Sequence, residues 1–465
     1  MAPIDHRGGS ELARRLGTWD TTLLTVGSVI GTGIFLTSAD IARVLPSAGG
    51  LLFVWLAGGL FTVAGALTYA ELGVLFPQAG GIYHYLKEAY GPLWGFLYGW
   101  GSFWVIMSGG VAALAVAFGE YLGAFVPFAS TSNVLLSVPV AGWTWSVTGA
   151  QLAAAAAILV LSAVNHFGVR QGATVQNLLT VLKIGAIVGI VAFGFTAEAP
   201  AHVAAAPAAP LASSGLLAAF GVAMIAAMWT YDGWYGPTFS AGEMRRPERN
   251  LPVGLIGGAV IITLLYLALN LVYLRAIPIA EMGATERIGE AAATVLFGAA
   301  GGKLVAALVL VSTFGCLSAT ILYSSRIYLP MARDGLFFRA LARVDPVHRT
   351  PTASLWAQSL WAMLLTLSGS YEQIYTFTVF AVVLFQIATG AAVFVFRKKR
   401  PDQPRTYRVW GYPWVPAVFI LASLLLVGNT LVEKPVESLL GLGLLALGLP
   451  AYFAWRRRRR AEEAS

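Results

Sequence analysis

The sequence predicts an all-α integral membrane protein of twelve spans, with the first and the sixth broken near mid-membrane. Three observations carry this reading. The 465 residues are 57% hydrophobic and 11% charged, with a mean hydropathy of +0.73, whereas soluble domains carry about 25% charged residues. Apolar runs of the ~20 residues that a helix needs to cross a bilayer recur along the whole chain. Two of those runs are interrupted by glycine and polar residues, where a lipid-facing helix should be continuous.

Read in order, the spans fall at 19–42, 48–76, 91–126, 149–167, 174–196, 214–241, 252–277, 301–332, 352–369, 372–397, 413–431 and 438–455. Leucine and alanine dominate them and no sustained alternation occurs, so long strands are not expected. Residues 1–18 form a short polar tail without the apolar core of a signal peptide. The stretch from Pro127 to Thr148, with Trp143 and Trp145, reads as an amphipathic piece lying at the interface. The alanine- and proline-rich connection from Phe195 to Leu211 reads as flexible.

The basic residues set the orientation. Among the 30 lysines and arginines, Arg43, Arg275, Arg287, Lys303 and Lys434 fall on one side, and Lys183 lies inside a span. All others collect on the opposite side, which is thus the cytoplasmic one and holds both termini. The expected location is the cell membrane, as a multi-pass protein. The pI of about 9.6 therefore describes a membrane face rather than a nucleic-acid partner. The basic tail 456–465, with Arg456 to Arg460, reads as an anchor beside anionic lipid.

The first break is Gly27-Ser28-Val29-Ile30-Gly31-Thr32-Gly33-Ile34-Phe35. Each interior glycine costs a helix about 1 kcal/mol relative to alanine, and the freed backbone groups need protein or a polar ligand to satisfy them. The second is Trp229-Thr230-Tyr231-Asp232-Gly233-Trp234-Tyr235-Gly236-Pro237, where Pro237 suits the first turn of a restarting helix. Five spans separate the breaks, so a second set of five runs in the opposite sense. Paired interruptions at matching positions point to a binding site between inverted repeats. The repeats are then 19–196 and 214–397, with 413–455 appended. Glycine also serves helix packing, but a matched pair with an intramembrane acid favours a site.

These residues carry a family resemblance. The core from Ile30 to Phe35, Tyr69-Ala70-Glu71-Leu72-Gly73, the break at Trp229 to Trp234, Glu243 with Pro247, Arg249-Asn250 and Pro252, and Ser325-Arg326 with Ala332 to Gly335 resemble the amino acid–polyamine–organocation (APC) superfamily. The L-type amino acid transporter branch and its bacterial relatives are the most similar. The resemblance implies a LeuT-type fold of 5+5 inverted repeats and transport of amino acids by alternating access.

Physics and resemblance give one binding scheme. Unwinding at Ile30 makes Gly31, Thr32 and Gly33 the start of an outer half-helix, whose N–H groups and dipole favour an α-carboxylate. Carbonyls from Gly27 to Val29 and at Met228 and Trp229 would accept from an α-ammonium. In the family a serine commonly precedes the last glycine; Thr32 keeps the hydroxyl and implies a narrower pocket. Trp229 matches the aromatic gate, with ordinary packing as the plain alternative. Tyr231, Asp232 and Gly233 complete the substrate set. Asp232 has three open readings: selecting an amino group, pairing internally, or capping the second half of its span. Lys183, an intramembrane charge, matches a lysine that replaces sodium in L-type members. The resemblance implies that it links Gly27 of span 1 to Ser312 or Thr313 of span 8, and hence sodium-independent transport.

Other features read as structural. Glu71 secures a loop, Glu243 enters an ion pair, and the five histidines show no metal-ligand spacing. No nucleophile–base pair is visible, so no enzyme, metal or cofactor is expected. The loop between spans 3 and 4 has no cysteine, so no disulfide-linked accessory chain is expected as a partner. The alternatives are a transporter-like sensor of amino acids and a proton-coupled carrier of cationic amino acids or polyamines.

Overall fold

The computed structural model describes Leu12 and residues 14–140, 143–167, 169–198, 215–285, 287–367 and 371–464. Most of the expected flexible connection, from 199 onward, lies outside them, as does most of the N-terminal tail. The first span is two helices, α1 (Thr18–Val29) and α2 (Gly33–Val44), which meet at 43° across the break. Next come α3 (Ala48–Leu75), a short α4 (Ile82–Tyr90), then α5 (Pro92–Gly101) and α6 (Met107–Leu122), joined by a π-helical turn as the third span. The fourth and fifth spans are α7 (Gly149–His166) and α8 (Val169–Thr196).

The sixth span ends its first half in α9 (Leu216–Tyr231) and restarts as a 3₁₀ helix, Gly236–Glu243. Pro237 lies in the first turn of that helix, where its missing N–H costs nothing. Then follow α10 (Pro247–Ala276), a one-turn α11 (Ile279–Met282), and a 46-residue α12 (Ile288–Arg333) kinked at Gly298. The last elements are α13 (Thr352–Thr366), α14 (Tyr371–Lys399), α15 (Trp414–Glu433), α16 (Pro435–Ala446) and α17 (Gly448–Ala464).

Each of the twelve expected segments contains helix among its described residues. By length and composition, ten helices among the described residues are able to cross a membrane, and the bent α1–α2 pair adds another. α13, the segment read as the ninth span, has 15 described residues and falls short of that measure.

The stretch read as an amphipathic interfacial piece contains an antiparallel hairpin, β1 (Val134–Val140) and β2 (Trp143–Thr148). In Trp143-Thr144-Trp145-Ser146-Val147 the aromatic and aliphatic residues alternate with Thr144 and Ser146 at period two, and all but Ser146 are β-branched or aromatic, which favours a strand. Trp145 ties the hairpin down by donating from Nε1 to the Leu367 carbonyl at 2.7 Å.

The core is built around the two breaks. α1 and α2 pack against α8, α9, α10 and α12, and their apolar side chains, among them Ile30, Ile34 and Phe35, are buried. At the end of the bundle where most basic residues collect, two buried carboxylates lock spans together. Glu71 of α3 takes Nε and Nη2 of Arg397 at 3.1 and 2.8 Å, and the Val409 N–H at 2.7 Å. Glu243 meets Arg326 of α12 in a bidentate pair at 3.0 Å and 3.0 Å, both side chains fully buried. Its partner is thus on a distant span rather than in the adjacent Arg245-Arg246.

Candidate functional site

The first break is local in origin. Ile30 leaves the helix at φ −71°, ψ 94°, and the chain restarts at Gly33 with Thr32 as N-cap. The second break turns on Gly233 at φ +96°, a left-handed conformation that glycine adopts without strain. The two breaks touch. Ser28 Oγ donates to the Gly233 carbonyl at 2.9 Å, and a Cβ on Gly233 would lie 2.7 Å from the Ser28 carbonyl oxygen. The glycines therefore do two jobs, breaking the helix and letting backbones approach. Gly33 likewise leaves room for Thr230, whose Oγ1 would lie 2.6 Å from an added Cβ.

Lys183 reaches this crossing from α8. Its side chain is buried, and Nζ donates to the carbonyls of Gly27 and Ile30 at 2.7 Å each and of Ser312 at 3.3 Å. Ser312 adds a bond from Oγ to the Ile30 carbonyl at 3.1 Å. Three elements, α1, α8 and α12, thus meet at one ammonium. The Thr313 hydroxyl does not join them; it donates to Val309 within its own helix at 2.8 Å.

Beside the crossing lies a cavity of about 40 Å³. Of the residues read from sequence as substrate-binding, Gly31, Gly33, Trp229, Asp232 and Gly233 line it. Ile30, Thr32, Met228 and Tyr231 do not. Ile30 acts through its carbonyl toward Lys183, and Thr32 Oγ1 is buried and meets no hydrogen-bond partner among the described residues. Met228 and Tyr231 line a smaller hollow on the far side of Asp232, next to Gln386. The Asp232 carboxylate has the Tyr235 hydroxyl and the Gly233 N–H as its polar neighbours. It is the C-cap of α9, while the 3₁₀ helix after it is capped by Tyr235 without a side-chain bond. The second half-span thus starts without a side-chain cap from its N-cap residue.

Sequence reasoning missed several residues that brace or line the site. Tyr266 of α10 donates to the carbonyls of Val29 and Thr230, each at 3.2 Å, and so ties both breaks to one hydroxyl. Cys316 Sγ donates to the Ser28 carbonyl at 2.9 Å. Met107, Leu114, Thr320 and Tyr323 complete the walls. None carries a local signal, because an apolar or hydroxyl residue in a span looks alike whether it faces a cavity or a neighbouring helix. The carbonyls of Gly27, Ser28, Val29 and Trp229, expected to receive an ammonium, already accept bonds from Lys183, Cys316, Tyr266 and the Asp232 N–H, and each keeps a second lone pair.

Such a site can hold a zwitterion. The start of α2 offers first-turn N–H groups without intrahelical acceptors to an anion, and the ends of α1 and α9 offer carbonyls to a cation. Two broken spans meeting at a small polar cavity inside an apolar bundle define a secondary transporter. The chain belongs to the amino acid permease family, whose model matches residues 16–441. It is 31% identical to the serine/threonine exchanger SteT of Bacillus subtilis, over 98% of this chain and 99% of that one. It is 29% identical to the mouse b(0,+)-type amino acid transporter 1, over 96% of this chain and 88% of the relative. The human large neutral amino acids transporter small subunit 2 is also 29% identical, over 96% of this chain and 81% of its own length.

Proposed function

We propose that this transporter exchanges small neutral amino acids across the cell membrane, by alternating access and without sodium. The observation that carries the proposal is the Lys183 ammonium held by Gly27, Ile30 and Ser312. A fixed cation at the junction of spans 1, 5 and 8 supplies the charge that a bound sodium ion would otherwise provide. The substrate carboxylate sits at the N–H groups from Gly31 to Gly33, and its ammonium at the carbonyls of Ser28, Val29 and Trp229. The side chain points toward Met107, Leu114, Cys316 and Thr320, a short wall of mixed polarity that favours small residues. Trp229 closes over the bound molecule.

The cavity of about 40 Å³ is well below the ~300 Å³ typical of ligand pockets, so substrate entry requires these walls to move apart. Spans 1–5 and 6–10 act as inverted repeats in that motion, with the basic face and both termini in the cytoplasm. No disulfide-linked accessory chain takes part; the single cysteine, Cys316, is buried at the site. A second reading, transport of cationic amino acids, is favoured by one observation: Asp232 lines the cavity. Polyamines lack the carboxylate that the start of α2 is built to receive.

Counterflow in proteoliposomes loaded with unlabelled amino acids tests this. Accumulation of labelled serine, threonine or alanine that survives sodium removal is the expected result. A strict sodium requirement defeats the coupling assignment, and accumulation of lysine or arginine in preference to these substrates favours the second reading. Saturable binding without any accumulation would instead mark a sensor.

A further inference from the structure

We propose that the basic face holds a built site for the headgroup phosphate of an anionic phospholipid, between the start of α5 and the last helix, α17. The five arginines from Arg456 to Arg460 look interchangeable in sequence. Helical spacing divides them, because Tyr452, Arg456 and Arg459 fall at i, i+4 and i+7 on one face. Packing fixes where that face points. Trp455 wedges against Phe337 and Phe338, with ring centroids 5.8 and 5.4 Å away, and Tyr452 sits 5.4 Å from Phe96. The Arg459 stem lies over Gly335, and its Nη1 donates to the Asp334 carbonyl at 3.1 Å.

Under that face lies a cavity of about 370 Å³, lined among others by Gly91, Leu93, Leu336, Tyr452, Arg456 and Arg459. Its size falls in the range of ligand pockets. Gly91, at φ +105°, makes the tight corner between α4 and α5, and α5 starts at Pro92. The Leu93 N–H is therefore a first-turn donor beside two guanidinium groups, the combination that suits a phosphate. The nearby Asp334 carboxylate does not oppose an anion, since Lys87 and the Tyr83 hydroxyl both bind it at 2.5 Å. Leu93 and Leu336 give the cavity an apolar wall. Trp94 (44%), Phe338 (51%) and Phe453 (50%) stand exposed around it, as side chains do at the depth where headgroup meets acyl chain. A lipid phosphate meets all of these surfaces, whereas a free phosphate uses only the arginines and the Leu93 N–H and leaves the apolar wall uncovered.

Native mass spectrometry on the full chain, purified in detergent, tests the site. The ligands are phosphatidylglycerol, phosphatidylcholine and inorganic phosphate. Wild type is expected to retain phosphatidylglycerol at least about tenfold better than phosphatidylcholine, since each basic residue near a membrane surface contributes roughly a fivefold preference for anionic lipid. R456Q/R459Q is expected to lose that preference. R457Q/R458Q removes the same formal charge from the outer faces and is expected to keep it. L93W fills the cavity without changing charge and is expected to weaken binding as well, with size-exclusion profiles reporting that each variant is folded. Equal losses in the two double variants would mean diffuse attraction and overturn the proposal. So would equal retention of the two lipids, or displacement of the lipid by inorganic phosphate at matching concentration.

Discussion

Replacing Lys183 by alanine separates a brace from a bystander. The ammonium makes short bonds to the Gly27 and Ile30 carbonyls and a longer one to Ser312. Hydrogen bonds to charged groups contribute about 1.5–3 kcal/mol each, so the two short ones bias the broken geometry by about 3–6 kcal/mol. In the variant, Ile30 keeps Ser312 Oγ at 3.1 Å, while Gly27 loses the partner that reached it from α8. Opposing this loss, the desolvation of a buried cation, several kcal/mol, disappears. The two contributions largely cancel in folding stability but not in the geometry of the break. The expected result is a monodisperse protein whose detergent melting temperature changes little. Its counterflow rate falls by more than tenfold, because about 1.4 kcal/mol of lost bias already amounts to a factor of ten. K183M, which keeps the apolar stem, is expected to behave alike. Wild-type flux in both variants would refute the brace.

Three further outcomes follow from the same geometry. Gly233→Ala puts a Cβ 2.7 Å from the Ser28 carbonyl at a left-handed φ of +96°; strain of about 1–3 kcal/mol should abolish most counterflow and lower the melting temperature. Arg326→Gln leaves the fully buried Glu243 without its bidentate partner, and a broken buried pair costs about 3–5 kcal/mol, so a clear loss of thermal stability in detergent is expected. Burial, with Lys87 adding to it, holds the His84 imidazole below its ordinary 6.5. The unfolded chain takes up that proton first, so the stability from neutral His84 is present above pH 6.5 and is lost as the pH drops below it. Thermal melts from pH 7.5 to 5 should show this slope, and His84→Gln should flatten it.

Much of this protein follows from its sequence alone. The count of apolar runs, the positions of both breaks and the buried lysine are local chemical facts. A dense cluster of glycines and hydroxyls weakens a helix, hydrocarbon cannot accept freed backbone groups, and a mid-span ammonium must find acceptors. The end point of α1 at Val29 and the restart at Gly33 match that reading. Which acceptors Lys183 finds was open between Ser312 and Thr313, because neighbouring residues of a helix differ only in the direction they face. Tertiary packing decided for Ser312. It also decided that Glu243 pairs with Arg326 across the bundle, that Tyr266 and Cys316 join the site, and that Thr32, Met228 and Tyr231 stand outside the cavity. Those outcomes depend on which faces of several spans converge. Composition and periodicity describe each span singly, so they carry no record of what stands opposite.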